Sequence, residues 1–293
     1  MKVFHKPIKN DYFHALQRLE MALKKDDSQN LDLREFWKGV VRDPEGRWTK
    51  YCAQGIKYFK YGKQSRPNLT TKEDFNFIIA AIKQEKAFLK GLQNKSFRNY
   101  KHWLITLHKK QAYKGHGGRI LPKRRISMGE HSKIVKDAVL PLAKKYSDPY
   151  TNSGLQVLRL AGIGRNGRPM DEWKNKNEVI HYYPDPDYFD DYLQIMKKKL
   201  QEFTYESTKP FSMNILILIA NYFQYGVNTH LFEDINQSLF ANQANAMLKY
   251  LGLKPVEQGI LDFTAMRLQP KNFARYFIDE VKKANPNNHF YEK

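Results

Sequence analysis

The chain has 293 residues, of which 41% are hydrophobic and 14% aromatic. That is length for one large domain or two ordinary ones, and too much apolar content for a disordered polymer. The formal net charge of +20 points toward anionic partners such as nucleic acid, phosphorylated ligands, acidic proteins or anionic lipid, although the basic residues are scattered and fit a solvated surface equally well. One cysteine, Cys52, excludes an intrachain disulfide and a cysteine-only zinc site; it suits a reducing compartment and reads as a buried structural thiol.

Met1 to Tyr12 is charged and lacks an apolar h-region, so no classical signal peptide is visible. No apolar run reaches spanning length, Ile215 to Ala220 falling far short. The expectation is a cytoplasmic protein without a membrane span.

In chain order the sequence is mostly helical. Tyr12 to Lys24 places Phe13, Leu16, Leu19, Ala22 and Leu23 at helical spacing. Leu31 to Val41 and the aromatic-rich Trp48 to Tyr61 follow as shorter helices. Thr71 to Leu92 is a long helix with Thr71 as N-cap and Asp74 in its first turn, and Asn99 to Tyr113 is the fifth. Between Gly115 and Gly129 the periodicity breaks into a glycine-rich basic loop, Gly115-His116-Gly117-Gly118-Arg119-Ile120-Leu121-Pro122-Lys123-Arg124-Arg125. It lacks the spacing of a P-loop and reads either as a phosphate contact or as a solvated basic loop.

Ser132 to Lys145 returns to helix, with Pro141 expected to kink or break it. Leu155 to Ala161 is a short apolar stretch, and Gly162 to Asn177 reads as loop. Glu178 to Tyr183 has the composition of a strand and stops at Pro184-Asp185-Pro186. Asp187 to Phe203 is a helix whose second half carries Lys197-Lys198-Lys199. An apolar helix, Asn214 to Val227, and an amphipathic one, Leu239 to Leu251, bracket His230-Leu231-Phe232-Glu233-Asp234-Ile235-Asn236. That connection sets a proton acceptor, a carboxylate and an amide on one turn before a helix start, a layout suited to phosphate-ester chemistry.

The segment His230-Leu231-Phe232-Glu233-Asp234-Ile235-Asn236-Gln237-Ser238 resembles the signature loop of the Fic/Doc family, His-Pro-Phe-x-Asp-Gly-Asn-Gly-Arg. His, Phe, Asp and Asn fall in register. The flanks agree in order: the strand ending at Tyr183, the Pro184-Asp185-Pro186 step, the helix after it, the apolar helix, and Leu251-Gly252-Leu253-Lys254-Pro255 after the last one. The likeness covers roughly residues 97 to 284, least well from about 115 to 175. It implies an all-α fold: a Fic-like helical core (97–293) carrying a small β-hairpin flap, preceded by an N-terminal helical region (1–96).

The resemblance implies a transferase that moves a nucleotide-derived phosphate-ester group, AMP or a related one, to a protein hydroxyl. His230 would be the general base, suited by a pKa near neutrality. Asp234 would bind Mg²⁺, or serve only as a helix N-cap. Asn236, Gln237 and Ser238 would form the binding site for the nucleotide donor, ATP or another, with Asn236 fixing the loop or capping the helix. The family's arginine clamp is Ser238 here, and its glycines are Ile235 and Gln237. A serine hydroxyl offers one neutral hydrogen bond where a guanidinium offers a bidentate charged grip, so the donor site would be atypical. Arg119, Arg165 and Arg168 are candidate substitutes for the clamp. The partners implied are a nucleotide and a protein substrate, a host protein if the chain is secreted into a host cytosol as an effector, as such domains often are.

Two other readings stay open. One is a catalytically inactive Fic-like binding module. The other is a basic helical nucleic-acid-binding protein, for which Tyr58-Phe59-Lys60-Tyr61-Gly62-Lys63 supplies aromatics to stack bases and lysines to meet phosphates. The same residues also fit a helix with a buried aromatic face.

Overall fold

The computed structural model describes residues 71–95, 97–112, 117–120, 126–128, 139–148, 158–159, 170–175, 178–182, 187, 189–233, 235–258 and 260–288. The helices expected between Tyr12 and Tyr61, and Cys52, lie outside these residues. The described chain is largely helical. Its elements are α1 (Thr71–Asn94), α2 (Tyr100–Gln111), β1 (Ile126–Met128), α3 (Leu140–Lys145), β2 (Leu158–Arg159), β3 (Met170–Asn175), β4 (Glu178–Tyr182), α4 (Phe189–Glu206), α5 (Met213–Thr229), α6 (Asn236–Tyr250), α7 (Leu261–Ala265) and α8 (Pro270–Ala284).

Helix α5 organises the core because it is apolar around most of its circumference, and such a helix buries most of its surface, here all but the side that carries Asn214 and Ile217. Ile215, Leu216, Ile219, Ala220, Phe223 and Val227 are all buried. Helices α4, α6, α7 and α8 pack against it. Helix α8 buries Phe273, Ala274, Phe277 and Val281 and leaves Lys271, Arg275 and Lys282 exposed. Phe223 of α5 stacks on Phe273 of α8 with ring centroids 5.9 Å apart. The end of α6 is set by Gly252 at φ 76°, where only glycine carries no steric cost. Gly252 N–H donates to the Lys249 carbonyl and Leu253 N–H to the Leu248 carbonyl, both at 2.9 Å, the Schellman arrangement that satisfies a helix's last carbonyls.

Helix α1 lies before residue 96, yet Phe88 and Leu92 share one core with the helices that follow. Phe88 stacks on Trp103 of α2 at 5.4 Å. The expected division at 96/97 therefore runs between two helices of one packed unit.

Pro141 sits in the first turn of α3, where a missing N–H costs nothing; residues 129–138, the earlier part of the helix expected from Ser132, lie outside the described residues. Gly162 to Asn177, expected as loop, contains strand β3, and strand β1 follows directly after the basic loop that ends at Arg125. Both join β4, the strand expected at 178–183, in an antiparallel sheet of order β1-β4-β3-β2. Met170-Asp171-Glu172-Trp173 has little strand character by itself; it pairs with Val179 to Tyr182 across the hairpin, and pairing overrides weak propensity. Among the described residues no helix is long and apolar enough to cross a membrane.

A buried polar seam joins α1, α2, α5 and α6. Tyr100 and Tyr222 share a hydroxyl–hydroxyl hydrogen bond of 3.1 Å, and Tyr222 also donates to Gln243 Oε1. Asn242 Nδ2 donates to the Ala81 carbonyl at 2.8 Å and to Gln84 Oε1. Burial raises both tyrosine pKa values above the ordinary 10.0, because the phenolate would lose its hydration. Their contribution to stability is thus complete below pH 10 and is lost as pH climbs toward the folded-state values, since only the unfolded chain ionises there. Unfolding free energies from urea titrations should begin to fall above about pH 10, with roughly 1.4 kcal/mol per pH unit from each of the two hydroxyls. Tyr146, Tyr225 and Tyr276, also raised by burial, add to the slope. Tyr100→Phe should remove about 1.4 kcal/mol per pH unit from it; a slope unchanged by the substitution would refute the assignment.

Candidate functional site

The turn from His230 to Asn236 connects α5 and α6, two long helices that are mostly buried. Its shape is set by two residues in the left-handed backbone region: His230, the C-cap of α5, at φ 45°, and Ile235, the N-cap of α6, at φ 48°. A β-branched residue rarely adopts that conformation, and holding it there costs on the order of 1 kcal/mol or more. Ile235 is compensated by burial, being 2% exposed. The N-cap is therefore Ile235, whose side chain cannot cap. Asp234 itself lies outside the described residues.

Asn236 closes the turn. Phe232 N–H donates to Asn236 Oδ1 at 2.9 Å, and Asn236 Nδ2 donates to the Phe232 carbonyl at 2.7 Å. One primary amide thus replaces the peptide partner that a sheet would provide, and both backbone groups of a fully buried residue are satisfied. The same two-way use of an asparagine recurs where Asn245 holds Val256.

A second segment docks on the outer side of the turn. Ile120 and Phe232 form an antiparallel bridge, and Glu233 N–H donates to the Arg119 carbonyl at 3.2 Å. The Arg119 guanidinium lies 3.8 Å from the Glu233 carboxylate, with 57% of the arginine side chain exposed. Below the bridge, the Phe232 ring stacks on His108 of α2, centroids 3.8 Å apart and planes within 11°. His108 Nδ1 accepts the Gly118 N–H at 2.8 Å, so one buried imidazole supports the phenyl ring and anchors the docking segment together.

Of the residues singled out in the sequence, His230, Asn236, Gln237 and Ser238 stand on this one turn and the helix start after it. His230 is 5% exposed. Gln237 is half-buried. Ser238 is buried, and its hydroxyl donates inward to the Ile235 carbonyl at 3.2 Å. Arg119 is brought to the turn; Arg165 and Arg168 lie outside the described residues, as do Lys123, Arg124 and Arg125. Among the described residues no three His, Cys, Asp or Glu side chains gather as a metal-binding group.

Sequence reading missed His108. Its only signal was a histidine on the face of α2 that also carries Leu104 and Gln111, ten residues before the Gly117-Gly118 pair. Chemically, the arrangement offers an imidazole on a rigid base beside a helix start and a half-exposed guanidinium. No family model matches the chain, and no curated protein matches it.

Proposed function

We propose that the chain is a Fic-like transferase that moves a nucleotide-derived phosphate-ester group to a protein hydroxyl through an atypical donor site. The observation that carries this reading is the backbone of the 230–236 turn. Ile235 takes the left-handed conformation at the position where the resembled loop has glycine, and Asn236 ties the turn to Phe232. A sequence lacking the glycine keeps a glycine's geometry; Lys95 and Ser147 also take positive φ at helix ends, but a β-branched residue bears more strain there.

In this reading His230 accepts the proton of the target hydroxyl as its oxygen bonds to the transferring phosphorus, while the bond to the leaving group breaks; with ATP and AMP transfer the leaving group is pyrophosphate. Mg²⁺, when bound, neutralises phosphate oxygens, and it is commonly held by one or two carboxylates plus the substrate's own phosphates. Asp234 is the carboxylate assigned to it. The Ser238 hydroxyl is buried and donates to the Ile235 carbonyl, so in this reading the clamp passes to Arg119. An exposed ion pair such as Arg119–Glu233 is worth no more than about 1 kcal/mol, and a guanidinium held that weakly can exchange its carboxylate for a phosphate.

The test is incubation of the full chain with Mg²⁺, a panel of nucleotide and phosphocholine donors and cell lysate, read by peptide mass spectrometry. A protein-linked adduct is expected with the parent chain and not with His230→Ala. Arg119→Ala should weaken transfer mainly by raising the donor KM. If no donor leaves an adduct that depends on His230, the turn belongs to a binding module and not to an enzyme.

A further inference from the structure

The net charge is not spread evenly over the folded surface. Residues 80–112, which cover most of α1 and all of α2, contain eight Lys and Arg residues against one acidic residue, Glu85; Glu73 and Asp74 stand in the first turn of α1, and Lys101 pairs with Asp190 of α4 at 2.7 Å. Glu85 is itself largely buried and paired with Lys249 of α6 at 2.8 Å. By contrast α4 carries Lys197, Lys198 and Lys199 together with Asp190, Asp191, Glu202 and Glu206. Helix α8 sets Asp279 and Glu280 among its four cations.

Geometry concentrates the hairpin's charge further. Lys83, Lys86 and Lys90 recur at i, i+3 and i+7 on α1, and all three are exposed. They form one row of about 10 Å along the helix, opposite the face that buries Phe88 and Leu92. The end of α2 lies level with this row, because Asn242 contacts both Gln84 of α1 and Gln111 of α2. Exposed Lys109 and Lys110 sit in that last turn, and exposed Lys95 and Arg98 sit at the hairpin's connection.

We infer that this hairpin face is a docking surface for the phosphate backbone of duplex nucleic acid. The charge selects a polyanion, and the rest of the face selects among polyanions. Its other exposed described residues are Gln93, Asn94, Asn99, Lys101 and His102. They include no aromatic platform of the kind that single strands stack upon, and none of the Trp, Phe or Leu that an interfacial helix presses into lipid. A row of lysines on a polar helix meets the regularly spaced charges of a duplex and releases condensed counterions as it does so. The inference is independent of the transferase reading.

The experiment uses the full chain with a fluorescently labelled 24-base-pair DNA duplex, the matching single strand, and vesicles of phosphatidylcholine with phosphatidylserine, across a series of salt concentrations. The duplex should bind most tightly, with log affinity falling linearly in log salt. The variant K83E/K86E/K90E should lose at least tenfold in affinity and about 2–3 units of salt slope. The variant K197E/K198E/K199E, of equal charge change, should stay within about twofold of the parent. If charge reversal on α1 lowers the melting temperature, K83Q/K86Q/K90Q serves instead and should lose three- to tenfold. Equal losses from the α1 and α4 variants, no loss from the α1 variants, or binding to vesicles or single strands in preference to the duplex would each overturn the inference.

Discussion

Asn236→Ala should lower the stability of the chain by about 2–4 kcal/mol and open the 230–236 turn. The magnitude comes from what is left behind, not from the hydrogen bonds counted as net gains. The amide satisfies both the N–H and the carbonyl of Phe232, a residue with no exposed surface. Truncation leaves two buried polar groups without that partner, each at roughly 1–3 kcal/mol. Alanine's better helix propensity in the first turn of α6 returns only a few tenths of a kcal/mol. Asn236→Asp separates the two bonds: it keeps an acceptor for Phe232 N–H but turns a carboxylate oxygen toward the Phe232 carbonyl. It should be at least as destabilising as alanine. Urea unfolding gives the free energies, and hydrogen exchange at the Phe232 amide should quicken in both variants. A cost below about 1 kcal/mol for Asn236→Ala would mean that the docked segment 117–120 holds the turn by itself.

Gly226→Ala should cost about 3 kcal/mol, the opposite sign from its usual effect. In the middle of a helix this exchange ordinarily stabilises by roughly 1 kcal/mol. Here the added carbon would stand 2.3 Å from Phe240 Cδ1 and 2.5 Å from Cγ. Phe240 is fully buried where α6 crosses α5, edge-on to Tyr222 at 6.2 Å, so the ring has nowhere to swing. Overpacking of this kind costs about 1–3 kcal/mol and sometimes more, and at 2.3 Å the upper end applies. Gly91 is the comparison. A carbon added there also meets a ring at 2.3 Å, but the atoms are the far end of Trp103, which is only partly buried. Gly91→Ala should therefore cost clearly less. Adding Phe240→Leu to Gly226→Ala should recover part of the loss. Thermal unfolding of the three variants beside the parent decides the matter, and a Gly226→Ala chain as stable as the parent would show that the α5–α6 crossing has room for a methyl group.

The helices were legible because their signal is local. In α5 the apolar side chains Ile215, Leu216, Ile219 and Phe223 recur within a few residues of one another. That density implies burial before any partner is known. Strand β4 was legible from its Val179-Ile180 composition. Strand β3 was not, since Met170 to Asn175 is mostly polar and becomes a strand only beside β4. Helix α8 was not read from the sequence at all, although its apolar residues have helical spacing. Its start rests on Asp148, far earlier in the chain, which accepts Gln269 N–H at 2.9 Å and the Asn272 amide N–H at 3.0 Å.

For the candidate site the division is similar. Spacing alone put His230, Asn236, Gln237 and Ser238 on one connection and its following turn. It did not tell that the Ser238 hydroxyl bonds the Ile235 carbonyl, that Ile235 adopts a left-handed backbone, or that Arg119 arrives at the turn.

By itself, then, the sequence determined the helices from α1 to α6, that one short turn joins the apolar α5 to the amphipathic α6, and that the chain is strongly cationic; α7 and α8 it did not reveal. The tertiary structure decided the shape of that turn, the guanidinium beside it and where the positive charge collects. The physical reason is range. Apolar periodicity acts between residues a turn apart, whereas the Phe232–His108 stack, the Arg119–Glu233 bridge and the level alignment of Lys83 with Lys109 need segments distant in the chain to meet. Such contacts carry a loop-closure cost that only the assembled core offsets.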